Sequence, residues 1–115
     1  MQKRNEVLDS SFEFALQIIK YCEVLENAKK FVLAQQLLKS GTSIGAHIRG
    51  AQNPESKGDF IHKLKIAAKE ADETEYWLQL CQQSENYPNP ENLLKQIESI
   101  KKLLNTIIAT MKRRK

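Results

Sequence analysis

From Leu33 to Ala51 the chain sets an apolar or very small side chain at every third or fourth position: Leu33, Leu37, Gly41, Ile44, Ile48 and Ala51. The rhythm runs unbroken through Ser40-Gly41-Thr42-Ser43-Ile44-Gly45-Ala46-His47-Ile48-Arg49-Gly50, where most side chains are small. Four-three spacing marks one face of an α-helix, so this stretch predicts helix rather than loop. Each interior glycine costs a helix about 1 kcal/mol relative to alanine. Close approach of a neighbouring helix is the natural offset. Gly41 with Gly45, and Ala46 with Gly50, form two small faces on which another backbone could lie.

Helix breakers are scarce elsewhere. Three prolines and four glycines in 115 residues leave two clear connections, Gln52–Gly58 and Asn86–Pro90. The first helix is expected over about 5–26, capped by Asn5, with Glu6 and Asp9 in its first turn. Its apolar stripe is Leu8, Phe12, Ala15, Ile19 and Cys22, widened by Leu16, Ile18 and Leu25. A break near Asn27, without proline or glycine, separates it from a second helix over about 28–51. Ser56 and Asp59 resemble a capping box for a third helix over about 57–85. That helix carries Phe60, Leu64, Ala67, Ala71, Thr74, Leu78 and Cys81 in register, and its narrow middle at Ala67 and Ala71 suits the small faces of the second. Asn89 is a good cap and Pro90 a good first residue for a fourth helix over about 90–112, with Leu93, Ile97, Ile100, Leu104, Ile107 and Met111 in register. Four amphipathic helices with short connections predict one all-α domain over 1–115, an antiparallel up-down four-helix bundle.

The composition, 41% hydrophobic and 28% charged, suits a globular domain. No apolar run reaches the roughly 18–20 residues of a membrane span, and residues 1–11 lack the apolar core of a secretory signal. Cys22 and Cys81 fall among apolar positions, which favours buried free thiols and a reducing cytoplasm. A phosphate loop fails, because the spacing from Gly41 puts Ala46 and His47 where glycine and lysine are required. A two-metal carboxylate site fails too: Asp59-x-x-His62 and Glu70-x-x-Glu73 are the nearest features, and His47 and His62 are the only histidines. No cofactor, metal or catalytic group is expected, and so no enzyme.

Charge offers more. The net charge is +4, and residues 87–115 alone carry seven basic and two acidic side chains. Lys95, Lys101, Lys102, Lys112, Arg113 and Arg114 are the candidate contacts to nucleic acid, since phosphate attraction needs only clustered cations. Glu70 and Glu73 share a face with Ile66, Trp77 and Leu80. Arg49, the one arginine away from the chain ends, is their candidate partner in an interface ion pair. Of Tyr76 and Trp77, one is expected in the core and the other at a subunit interface.

Ser40-Gly41-Thr42-Ser43-Ile44-Gly45-Ala46 with Ile48, then Ser56, Asp59-Phe60-Ile61, Lys63, Ile66-Ala67, Lys69-Glu70-Ala71, Glu73-Thr74 and Tyr76-Trp77-Leu78 carry a family resemblance. They resemble the small proteins named for reading frames in intervening sequences of bacterial 23S rRNA genes, over roughly residues 5–112. The chain departs from that pattern at His47, where the family usually has Asn, and at Arg49-Gly50, where an acidic residue is common. The resemblance implies an antiparallel four-helix bundle assembled as a ring-like homopentamer. Its relatives include the accessory variability determinant of diversity-generating retroelements, a basic barrel that binds nucleic acid and a reverse transcriptase. The partners implied are therefore further copies of the chain, RNA or DNA, and a reverse transcriptase where one is encoded nearby. The alternative expectation is an interaction scaffold that docks a partner protein and has no nucleic-acid role.

Overall fold

Nearly the whole chain is helical. The computed structural model describes residues 2–114. It contains α1 (Gln2–Asn27), α2 (Phe31–Gly50), α3 (Lys57–Gln83) and α4 (Glu91–Arg113), with no strand among the described residues. Each helix packs on its neighbours in sequence, and α4 closes back on α1. The diagonal pairs, α1 with α3 and α2 with α4, nowhere bring described Cα atoms within 8 Å. The result is a rod of 50 × 20 × 19 Å with a nearly square section. Contacts at its two ends set the helices antiparallel. Arg4 Nε donates to Gln52 Oε1 at 3.0 Å at one end, and Tyr21 Oη donates to the Pro88 carbonyl at 2.5 Å at the other.

The helix ends follow local chemistry. α1 begins at Gln2, three residues before the expected start, so Asn5 lies inside the helix and caps nothing. Its other end, where no proline or glycine stands, closes through Lys29 at φ 64°. There the Lys30 N–H reaches Leu25 O at 2.8 Å and the Lys29 N–H reaches Glu26 O at 2.9 Å. This pair of bonds is a Schellman turn, with lysine where glycine is usual. Ser56 caps α3 by accepting the Asp59 N–H at 3.0 Å, but Asp59 answers one residue early, taking the Glu55 N–H at 3.0 Å. α4 starts one residue later than expected, with Pro90 at the N-cap rather than in the first turn; Asn89, just outside the helix, still accepts the Glu91 N–H through Oδ1 at 3.0 Å.

Three of the four expected stripes are buried. All seven positions of α3 face the core, as do Leu37, Gly41, Ile44, Ile48 and Ala51 around α2 and Leu93, Ile97, Ile100, Leu104 and Ile107 of α4. Leu33 and Met111 are only partly covered. α1 differs. Its core residues are Val7, Ser11, Phe14, Ile18, Tyr21, Cys22 and Leu25, while Phe12, Leu16 and Ile19 of the expected stripe are 55%, 41% and 40% exposed. α1 has two apolar faces, and spacing alone does not say which one is buried. Ser11 disguises the inner face, but its hydroxyl is satisfied by the Leu8 carbonyl at 3.1 Å, so it can be buried.

The small-residue stretch is helical; the neighbour its two inner glycines admit is α1, while Ser40 in the same stretch bonds to α3. A Cβ on Gly41 would stand 2.9 Å from both Cγ atoms of Ile18, and one on Gly45 would stand 3.3 Å from the Ser11 carbonyl oxygen. Ala67 and Ala71 are fully buried within the core. The second small face does not pack closely against the rest of the described chain. Ala46 and Gly50 are exposed, and a Cβ on Gly50 would meet nothing within 4 Å. Between α2 and α3 the buried Ser40 and Thr74 hydroxyls are hydrogen-bonded at 2.9 Å, and Thr74 also donates to Glu70 O at 2.7 Å.

Gly41→Ala should therefore destabilise the fold despite better helix propensity. Overpacking against a fully buried, β-branched Ile18 costs about 1–3 kcal/mol, against a propensity gain of about 1 kcal/mol. Gly50→Ala, facing open space, should be neutral or gain up to about 1 kcal/mol. Lys29→Gly should gain about 1 kcal/mol by relieving the left-handed backbone. Urea melts of the three variants check all these signs.

Candidate functional site

Charge is sorted along the edge where α3 and α4 run side by side. Residues 57–70 and 102–114 together carry eight basic and two acidic side chains, whereas residues 71–101 carry two basic and six acidic. The turn around Pro88 determines which charges meet. Glu75 and Lys101 stand almost equally far from it, as do Lys65 and Lys112. The first couple forms an ion pair, and the second is a like-charge contact.

Lys101 Nζ lies 2.8 Å from Glu75 Oε1 and 2.9 Å from Asp72 Oδ1. The Glu75 hydrogen bond, then that of Asp72, holds the Lys101 ammonium above its ordinary pKa. Its charge is thus neutralised within the bundle. Lys102 is exposed beside Glu98 at 3.4 Å. Lys95 is exposed on the first half of α4, about 26 Å along the helix from Lys112 at 1.5 Å per residue. Lys112, Arg113 and Arg114 stand at the helix end, exposed. The six candidate cations are therefore not one patch.

Sequence reasoning missed Lys65. It lies close enough to Lys112 that its ammonium can donate to a neutral Lys112 amine and repels a charged one, and both effects depress the pKa of Lys112. The signal lay in the turn: residues equidistant from it on antiparallel helices become neighbours. Lys63, nearby on α3, is already paired with Asp59 at 3.1 Å. The Glu55 N–H, then Lys63, keeps the Asp59 carboxyl below the usual carboxylate range.

A second feature lies on the outside of α1 and α2. Leu8, Phe12, Leu16 and Ile19 line one wall of an open groove of about 880 Å³, and Gly45 and Ala46 are on the other. Arg49 lies at its rim with its guanidinium 5.9 Å from the centre of the Phe12 ring. Arg49 therefore meets Phe12 rather than Glu70 or Glu73. Glu73 instead accepts a long bond from Trp77 Nε1 at 3.4 Å. Trp77 packs against the core, and Tyr76, edge-on to it at 5.3 Å, is 55% exposed.

The interior offers no reactive centre of the usual kinds among the described residues. Burial pushes the Cys22 thiol up to about 12 and raises Cys81 and Tyr21 as well, so all three stay protonated at neutral pH. Cys22 and Cys81 sit on diagonal helices whose Cα atoms stay more than 8 Å apart, beyond the roughly 7 Å reach of a disulfide. Among the described residues no three His, Cys, Asp or Glu side chains cluster to hold a metal ion, and no helix is long and apolar enough to cross a membrane.

With this geometry in view, the chain matches the 23S rRNA-intervening sequence protein family over residues 3–106. It is similar to a solved structure, a protein of unknown function from the S23 ribosomal protein family of Bacteroides thetaiotaomicron VPI-5482. The two are 47% identical with a TM-score of 0.88, and the match covers 93% of this chain and 98% of the other. No curated protein matches.

Lys101→Met should lower stability at pH 7 by about 1 kcal/mol, the worth of a well-made, partly exposed pair. Because the folded pKa of Lys101 is raised, its contribution is complete below the unfolded value of about 10.4 and disappears as pH rises through the folded one. The gap between variant and wild type in urea melts should therefore close at strongly alkaline pH.

Proposed function

The chain belongs to the 23S rRNA-intervening sequence protein family, and from that premise we propose that it is a non-enzymatic, self-associating bundle that binds nucleic acid at the basic end of α3 and α4. The observation that carries this is the Lys65–Lys112 contact. Two lysines on different helices lie close enough for Lys65 to lower the pKa of Lys112, and among the described residues neither is ion-paired with a carboxylate; Arg113 is next in the chain. An anion placed between them would relieve the repulsion, and a phosphate backbone supplies a row of anions. Lys57 and Lys69 of α3 add charge on the same half of the rod. Lys101 has no part in the contact, being held by Glu75 and Asp72.

Self-association fits this reading, because a ring would repeat the basic end once per copy. The family resemblance favours a pentamer, working in the bacterial cytoplasm, with a reverse transcriptase as a further partner where one is encoded nearby. A scaffold that docks another protein is the competing reading, and the exposed α1–α2 groove is what favours it.

Fluorescence anisotropy with single-stranded RNA and duplex DNA tests the proposal. Affinity should fall steeply between 50 and 200 mM salt, by orders of magnitude if about six or more phosphates are contacted by the assembly. Lys65→Gln with Lys112→Gln should weaken binding and flatten the salt slope by about 0.7–0.9 for each phosphate no longer neutralised. Lys101→Gln should leave the slope unchanged. Salt-insensitive binding, or none to either nucleic acid, would contradict the proposal.

A further inference from the structure

Lys65 and Lys112 meet in a way that ordinary surface lysines do not. Each extends from an exposed position, one on α3 and the other on α4, and the antiparallel turn around Pro88 brings them level. Their side chains come within hydrogen-bonding reach of one another. Among the described residues neither is ion-paired with a carboxylate, whereas Lys63, Lys101 and Lys102 all are. We propose that this pair is an acylation site, in which Lys112 is the nucleophilic amine and Lys65 the cation that holds the phosphate of an acyl phosphate. The site is a property of the folded bundle and does not depend on nucleic-acid binding.

The two roles follow from the charges around each amine. Ammonium groups in contact repel, while a neutral amine beside an ammonium accepts a hydrogen bond from it. Both effects favour the state in which one of the two has lost its proton. The hydrogen bond from Lys65, then its charge, lowers the pKa of Lys112. A lysine next to another cation is an activated nucleophile.

No acid is placed to reverse this. On α4 the carboxylates are Glu91 and Glu98, and Glu98 stands about 21 Å back along the helix from Lys112 at 1.5 Å per residue. On α3, His62 and Lys69 lie one turn either side of Lys65. Asp59 is taken up by Lys63 and the Glu55 N–H, and Glu70, five residues beyond Lys65, points to another side of the helix. α1 brings Lys3, Arg4 and the exposed Glu6 to this end, one acid against two cations. The carbonyls at the end of α4 favour positive charge there, but Arg113 beside Lys112 shares that field, whereas Lys65 acts on Lys112 at contact distance.

An acyl phosphate matches both members of the pair. The lone pair of the Lys112 nitrogen attacks the acyl carbon and forms the amide N–C bond. The bond from that carbon to the phosphate oxygen breaks, its electron pair leaves on phosphate, and the proton shed by nitrogen passes to the departing group as hydrogen phosphate. Charge-assisted hydrogen bonds from the Lys65 ammonium stabilise phosphate as its negative charge grows. Once Lys112 is a neutral amide the contact no longer holds two amines. Lys65 then lacks the same activation, and the reaction stops at one acyl group per pair.

Acetyl phosphate at neutral pH, with sites mapped by mass spectrometry, is the probe. Lys112 should be acetylated several-fold faster than Lys20 and Lys95, two exposed lysines outside the pair, and Lys65 should stay largely unmodified. The rate at Lys112 should level off at lower pH than theirs. Lys65→Met should bring Lys112 down to their rate and move its profile to more alkaline pH. Lys65→Arg, which keeps the cation, should restore the lead. Both variants change an exposed position, so helical circular dichroism should be unaltered. Inorganic phosphate should slow Lys112 selectively, and with phenyl acetate, an uncharged acyl donor, Lys112 should keep only part of its lead. Acetylation of Lys112 no faster than of Lys95, a rate that Lys65→Met does not change, preferential modification of Lys65, or an equal lead with both donors would overturn the assignment. Nucleic-acid binding is read separately, by salt-dependent anisotropy, and stands or falls on its own.

Discussion

The close approach of α1 and α2 at Gly41 is the contact on which the rest of the molecule depends. Ile18 occupies the space a side chain on residue 41 would need, and Ser11 does nearly the same at Gly45. Drawing the two helices together fixes the rotation of α1 about its axis. With Ile18 turned inward, Val7, Phe14 and Leu25 follow it into the core, and Phe12, Leu16 and Ile19 are left outside. One steric fact at two glycines thus determines both the core and the groove. Close packing of this kind is rigid, since a single added methyl group has nowhere to go.

The second organising constraint is the square section. With diagonal helices apart, Cys22 and Cys81 cannot cross-link, and the helix packing runs between neighbours. The antiparallel turn around Pro88 then pairs charges by their distance from it. It gives Lys101 two carboxylates and gives Lys65 another lysine. Opposite and like charges divide along this edge. Opposite charges in the acidic half hold the helices together, while at the basic end Lys65 and Lys112 repel. The rigid core supports these surface features without contributing reactive groups of its own.

Much of the fold was legible in the sequence. Four periodic stripes, two proline-marked connections and the caps at Ser56 and Asn89 describe the bundle, and α3 is buried at every position its spacing names. The misreading of α1 has a definite cause. Leu8, Phe12, Ala15 and Ile19 make as good a stripe as Val7, Phe14, Ile18 and Leu25, and the buried Ser11 makes the inner one look polar. The break after Asn27 gave no glycine or proline signal because Lys29 takes the left-handed conformation itself. The candidate cations were legible as a composition but not as a surface. Only the pairing of α3 with α4 separates Lys101, which is engaged, from Lys112, which gains Lys65 as a neighbour.

If the acid-free lysine pair at the end of the bundle is where an anionic polymer lands, bound polymer should shield those two amines from reagents. Lysine acetylation of the protein, mapped by mass spectrometry with and without bound single-stranded RNA, reads this out residue by residue. RNA should protect Lys65 and Lys112, leave Lys95 and Lys20 as reactive as before, and not alter an already slow Lys101. Protection confined to Lys95, or spread evenly over all lysines, would contradict a landing site at the Lys65–Lys112 pair.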